Sequence, residues 1–383
     1  MFAFENNGYS GQLPVSIKVI GVGGAGGNAV NSMVDRELVG IEFVAANTDV
    51  QALSQSKAQH VVQLGVKLTK GLGAGANPDM GKRAAEEDID KIISIIGSTD
   101  IVFLTGGMGG GTGSGALPII AHALRDRGVL TIAIVTRPFA FEGKRRERIA
   151  QAAIEELAGS VDTLIVIPNQ KLLDMVDKHV SMIDSFDLIN TILYQSIKGI
   201  ADIITKSGHI NVDFADLKAI MKDMGLAVMG TGIASGADRA RVAAQNAVSS
   251  PLFENMSILG ARGVLLNITG GQSLGLHEIH DAASVIYDQV HEDANIIVGS
   301  VIDAALTDQV IVTVVATGFD APVGDAPAGV RAASTTAQQP VRDARVVRAP
   351  ASAPESATLA GHDIQDDLDV PAYMRRERGH IAQ

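Results

Sequence analysis

The run Gly106-Gly107-Met108-Gly109-Gly110-Gly111-Thr112-Gly113-Ser114-Gly115 is built to hold an anion. Glycines without a Cβ let several backbone N–H groups turn toward one cluster of charged oxygens, and a helix starting directly after them adds the partial positive charge of its N-terminus. The flanks suit that chemistry, with an apolar strand pattern at Ile101 to Leu104 and a helical pattern beginning near Ala116. Thr112 and Ser114 offer hydroxyl donors to the same ligand. A flexible linker, the plainer reading, fits poorly between a strand and a helix.

A second glycine loop, Gly21-Val22-Gly23-Gly24-Ala25-Gly26-Gly27-Asn28, meets the GxGxxG pattern between a strand and a helix. Alone it fits a dinucleotide site, with Asp49 roughly 20 residues on, where a ribose-binding acid is expected. Two cradles at neighbouring strand ends instead suit a nucleoside triphosphate gripped from two sides. No GxxxxGKS/T occurs, and the near miss at Gly143-Lys144 runs into Arg145, so a P-loop is excluded. A third glycine turn, Lys70 to Pro78, is either a pocket wall or an ordinary surface loop.

Cleaving a phosphoanhydride needs a positioned water, yet the glycine loops offer no obvious acid. Asn211, Asp213 and Asp216 are the candidates, ahead of the apolar stripe Phe214, Leu217, Ile220, Met221 and Met224. The same two aspartates also read as a helix cap with a favourable dipole acid. Glu142, in the segment Arg137 to Arg146, reads on its own as the acidic start of a helix. Phe186 and Asn190, four apart on one helical face, can meet one planar base, or be a core aromatic and a locally satisfied amide.

The elements around these residues follow from hydrophobic periodicity. Strands at Val15–Ile20, Phe43–Ala46, Ile101–Leu104, Leu130–Val135 and Thr163–Ile167 alternate with helices, the first at Asn28–Leu38, as βαβ units do. In such a parallel sheet ligands sit at the carboxyl ends of the strands, where the glycine loops fall. From His179 to Lys206 apolar residues recur every three or four positions, and others lie off the stripe, so one long helix is expected between two packed units. Strands at Leu226–Met229, Gly263–Ile268, Asn295–Val298 and Val310–Val315, with helices at Asp238–Val248 and His277–Val290, make a second, smaller α/β unit.

The predicted fold class is therefore α/β: a Rossmann-like nucleotide-binding domain with a parallel sheet (1–178), a connecting helix (179–210) and a smaller α/β domain with a mixed sheet (211–318). Residues 319–362, rich in Ala, Pro, Ser, Thr and Gln, are expected to be a disordered linker, and 363–383 a terminal peptide. That peptide is acidic at Asp366-Asp367, apolar at its centre and basic toward Arg378.

Composition limits the alternatives. A chain of 383 residues, 46% of them hydrophobic, can bury a substantial core. With no cysteine it has no disulfide or thiolate metal site, and a reducing cytoplasm is compatible. A net charge of −12 argues against nucleic-acid binding. The start, MFAFENNGYS, lacks signal-peptide character, and no apolar run approaches the ~20 residues needed to span a bilayer.

GGGTGSG at 109–115 resembles the signature of the tubulin and FtsZ superfamily, and the chain is similar to bacterial FtsZ proteins almost from end to end. The resemblance implies a GTPase with GTP/GDP and Mg2+ as ligands, the metal-holding residues being unassigned. It implies nucleotide contacts at Gly24, Ala25, Gly26, Gly27, Asn28, Gly75, Gly109, Gly110, Gly111, Thr112, Gly113 and Asn169. Glu142 would accept from the ribose hydroxyls with Arg146 beside it, and Phe186 and Asn190 in SFDLIN would recognise guanine. The third glycine turn would respond to the γ-phosphate.

It also implies that Asn211, Asp213 and Asp216 orient the attacking water on the next subunit's nucleotide, so that catalysis exists only in a head-to-tail homopolymer. The role implied is that of the bacterial division ring, in the cytoplasm at mid-cell beneath the inner membrane. Residues 366–378 would dock on membrane-anchoring and regulatory division proteins, with no direct membrane insertion. Two other readings stay open at this level: a dehydrogenase built on the first loop, and a homologue that binds GTP without turnover.

Overall fold

The computed structural model describes residues 15–173, 181–206, 210, 212–253 and 258–319, all within the compact unit that ends at Gly324. Asn211, the linker beyond Phe319 and the terminal peptide with residues 366–378 lie outside the described residues.

The first half of the chain forms β1 (Ile17–Val22), α1 (Gly23–Asp35), β2 (Glu42–Asn47), α2 (Val50–Ser54), β3 (His60–Gln63), α3 (Val66–Thr69), α4 (Pro78–Ile96), β4 (Ile101–Gly107), α5 (Thr112–Arg125), β5 (Leu130–Arg137), α6 (Lys144–Ala158), β6 (Thr163–Pro168) and α7 (Asn169–Leu173). The long α8 (Met182–Thr205) and α9 (Phe214–Met221) follow, then β7 (Gly225–Ser235), α10 (Arg239–Val248), β8 (Gly263–Gly270), α11 (Leu276–Tyr287), β9 (Asn295–Ile302) and β10 (Gln309–Thr317).

The strands join in the order β3-β2-β1-β4-β5-β6-β7-β10-β8-β9. From β3 to β7 every pairing is parallel. Beyond β7 the sheet is mixed, because β10 runs antiparallel to both β7 and β8 while β8 and β9 are parallel. The order β3-β2-β1-β4-β5-β6 is that of a Rossmann sheet. The chain winds outward from β1 to β3 and then returns to lay β4 beside β1, which opens a crevice at their carboxyl ends.

Both glycine loops open into this crevice, and there the helices begin earlier than the sequence pattern predicts. α1 starts at Gly23 rather than Asn28, and α5 at Thr112 rather than Ala116. Poor helix propensity marks glycines as loop, but tertiary contact decides otherwise. A Cβ on Gly21 would lie 2.2 Å from the Gly26 carbonyl oxygen, and one on Gly26 would lie 2.6 Å from that of Thr105. Only glycine lets α1 start this close to β1 and β4.

Apolar side chains fill three layers. One, including Ile92, Leu117 and Leu157, lies between the parallel sheet and α4, α5 and α6. Another, including Val228, Ala244 and Ile286, lies beneath α10 and α11. The third is continuous through both halves of the sheet and centres on α8, joining Val19, Phe103 and Ile134 to Ile197, Ile200, Leu265 and Val315. The sequence expectation for the long helix is met here, with Ser181 capping its start by accepting from the Asp184 N–H at 3.1 Å. Buried Asp202 on α8 is paired with Lys198 and, at 3.0 Å, with Lys206.

Two charged clamps fix the remaining helices. α4 leaves helical geometry at Asp88 (φ −120°, ψ 15°). Burial alone would raise the Asp88 carboxyl, but Lys91 and the N–H groups of Gly65 and Val66 outweigh it and hold the carboxyl below its ordinary value. Buried Arg239 on α10 binds both carboxylate oxygens of Glu278 on α11, at 2.7 and 3.1 Å, and the Ser273 hydroxyl at 3.0 Å.

The Arg239 hydrogen bond is the main cause that holds the Glu278 carboxyl below its ordinary value. A carboxyl so lowered contributes stability that is present above its unfolded-chain pKa and is lost as pH falls through the folded value. Urea unfolding at stepwise lower pH should therefore show a steeper acid loss in the native protein than in Glu278→Gln, which should already be less stable near neutral pH.

Candidate functional site

The crevice between β1 and β4 widens into a cleft of about 500 Å3. Its floor is made of two helix starts. Neither α1 nor α5 has a side-chain cap or an acid in its first turn, whereas Asp49, Asn77, Ser181 and Asp213 cap α2, α4, α8 and α9. Unpaired N–H groups at two converging helix ends are suited to an anion with several oxygens.

Gly24, Ala25 and Asn28 line the cleft from the first loop, and Gly110, Gly111, Thr112 and Gly113 from the second. No atom lies within 4 Å of a Cβ built on Gly24 or Gly110, so ligand oxygens can come close to the backbone at both. Gly109 has another task. It is buried, and its N–H donates to the Ser114 hydroxyl at 2.9 Å. Its φ of +100° is a conformation reserved for glycine. Ser114 thus fastens the loop from within, and the Thr112 hydroxyl is likewise paired, with Thr48 at 2.6 Å. Both hydroxyls foreseen as ligand donors therefore brace the cradle, and Thr112 also stands in the cleft lining.

The walls carry the other predicted residues. Glu142, Arg146, Asn169, Phe186 and Asn190 all line the cleft. Glu142 accepts from the Phe139 N–H at 2.9 Å and from Arg146 at 2.5 Å, and it is the one acid among the described lining residues. Phe186 is 43% exposed, and its ring stands edge-on to buried Phe139 with centroids 5.7 Å apart. Asn169 is 6% exposed and its side-chain oxygen has no partner. A buried polar atom so placed has a hydrogen bond to make, and the cleft is where a ligand would make it.

Four of the predicted nucleotide contacts stand apart from the lining. Gly26 is held in the α1–β4 contact, Gly27 is half-buried, and Gly109 is buried within its loop. Gly75 lies on a neighbouring groove with Asn77, Lys82 and Arg148, although the third glycine loop does abut the cradle: a Cβ on Gly111 would lie 2.8 Å from that of Ala74. Sequence reasoning missed Ile189 and Leu193, which complete the wall at one-turn spacing from Phe186 and Asn190. The periodicity of α8 contains that signal.

Asp213 and Asp216 are exposed and do not line the cleft. Asp213 caps α9, accepting from the Asp216 N–H at 2.8 Å. The other end of α9 is tied to the start of β6, where the Thr163 hydroxyl donates to the Met221 carbonyl, whereas Asn169 of the cleft follows the end of the same strand. Six residues of strand, roughly 20 Å, separate those two points. Asp49, the ribose acid of the dehydrogenase reading, is occupied as a cap for the N–H groups of Gln51 and Ala52 and is absent from the lining.

Known proteins share this fold. The tubulin/FtsZ family GTPase domain matches residues 16–177, and the FtsZ family C-terminal domain matches 225–320. The empty FtsZ dimer of M. jannaschii is 41% identical with a TM-score of 0.77, covering 81% of this chain and 90% of its own. CetZ1 from Haloferax volcanii, a GDP-bound monomer, superposes with a TM-score of 0.70 at 24% identity over 82% of this chain and 96% of its own. CetZ2 from the same organism, a GTPγS-bound protofilament, does so at 0.67 and 20% identity over 80% and 94%. The CetZ likeness is one of fold.

The two kinds of glycine should respond differently to a methyl group. Gly26→Ala forces backbone apart and is expected to cost about 1–3 kcal/mol in urea unfolding. Gly24→Ala should stay within about 0.5 kcal/mol of the parent while weakening the binding of a fluorescent guanine nucleotide.

Proposed function

The chain belongs to the tubulin/FtsZ family, and from that footing we propose that this GTPase assembles head-to-tail and cleaves GTP where two copies meet. The carrying observation is the separation of its parts. The cleft has a phosphate cradle and a base-sized wall but only Glu142 as an acid, already paired with Arg146, while the candidate acids Asp213 and Asp216 cap an exposed helix start outside it.

In this proposal the phosphates lie on the first turns of α1 and α5, the ribose near Glu142 and Arg146, and the guanine between Phe186 and Asn190, with Asn169 contacting the nucleotide. The division into 1–178, 179–210 and 211–318 assigns nucleotide binding, connection and catalysis in turn. Asp213 and Asp216, with Asn211, reach the nucleotide of the next copy and position its water. A heterologous contact of this kind does not close on itself and generates a filament.

Among the described residues no three acidic or histidine side chains gather to hold a metal. A Mg2+ ion would therefore take most of its ligand oxygens from the phosphates and water. The proposal extends to the division ring of a bacterial cytoplasm, with membrane-anchoring proteins engaging 366–378. None of the described helices is long and apolar enough to cross a membrane.

Hydrolysis against protein concentration tests the central point. Turnover per molecule should be negligible when dilute and rise above a threshold, and a flat profile rejects the shared site. Asp213→Ala with Asp216→Ala should lower turnover by about 100-fold or more while leaving the affinity of the dilute protein for GTP unchanged.

A further inference from the structure

Behind the cradle runs a string of buried polar side chains, Asp88, Thr69 and Thr48, that ends at Thr112 in the cleft lining. Thr48, wholly buried, lies in the turn between β2 and α2. Its hydroxyl meets that of Thr112 at 2.6 Å. Its carbonyl accepts the Gly73 N–H at 3.3 Å and the Thr69 hydroxyl at 3.3 Å. Thr112 opens α5 and lines the cleft, whereas Thr69 ends α3 just before the third glycine loop and Gly73 lies within it. One residue therefore touches the cradle with its side chain and the loop with its backbone.

That loop depends on such ties. Between α3 and α4 the chain takes left-handed φ at Lys70 (52°) and Ala76 (56°), neither a glycine, and such conformations persist only where the surroundings hold them. Besides the Thr48 bond, the loop is held by Val50, whose N–H donates to the Gly71 carbonyl at 3.1 Å. Asp88 fixes its approach by accepting from the Gly65 N–H at 2.7 Å.

We propose that Thr48 is a positioning residue that passes the state of the phosphate cradle to the third glycine loop. Each hydroxyl in the Thr48–Thr112 pair has a single hydrogen. Without an oxyanion, either can be the donor. When a phosphate oxygen accepts the Thr112 hydrogen, Thr48 must be the donor to Thr112. Its side chain is then fixed in one orientation, and with it the turn whose carbonyl carries Gly73 and Thr69. The proposal rests on nucleotide occupying the cleft as set out above, and adds the residue through which the loop senses it.

The test uses the absence of cysteine from this chain. Leu72, 86% exposed on the loop, can be replaced by cysteine and labelled with an environment-sensitive fluorophore. In Leu72→Cys the emission with a non-hydrolysable GTP analogue should differ from that with GDP. Adding Thr48→Val, which keeps shape and removes the hydroxyl, should abolish that difference while both nucleotides still bind, and Thr48→Ser should restore it. Should Thr48→Val not fold, Thr112→Val tests the link from its other side and must also remove the difference. A label that still distinguishes the nucleotides in either folded valine variant, or that never distinguishes them in a parent that binds both, overturns the proposal. Failure of the parent to bind guanine nucleotides overturns the functional reading instead.

Discussion

Two helices, α1 and α5, start inside the same crevice, and each leaves the N–H groups of its first turn without a side-chain acceptor. Concentrating two positive helix ends at one point is unfavourable without an anion to share, so this arrangement constrains everything around it. Glycine at positions 21 and 26 brings α1 against the strands, Ser114 and Gly109 set the second loop, and the strand order opens the crevice itself. The aromatic and amide wall on α8 follows, since α8 must bury its apolar stripe against both halves of the sheet.

Much of this was legible in the sequence because it rests on local pattern. Alternating apolar runs and glycine clusters gave the parallel strands and the two loops at their ends, and the spacing of Phe186 and Asn190 put both on one face. What stayed hidden depends on neighbours distant in sequence. Helix starts at Gly23 and Thr112 are fixed by Thr105 and Pro78, whose carbonyl oxygen lies 2.0 Å from where a Cβ on Gly115 would stand. Short β3 and α3 carry too little periodicity to be seen, and Thr48 looks like any turn residue until Thr112 is placed beside it.

The same limit applies to the acids. Spacing alone reads Asp213 and Asp216 as a cap, and their geometry within one copy is a cap. A residue can serve both roles, because capping uses the carboxylate oxygen turned toward the helix and leaves the other free.

β7 joins the two halves of the sheet in an uneven way. β4 and β5 are in register from Ile101 through Gly107, but β6 meets β7 only from Thr163 to Ile165 before β7 turns to β10. Few ladder pairs cross that seam, and side chains of α8 pack over it in the apolar layer common to both halves. The continuity of the sheet between its two halves thus rests on three register pairs and on the shared apolar layer around α8, so a substitution in that layer reaches both halves at once.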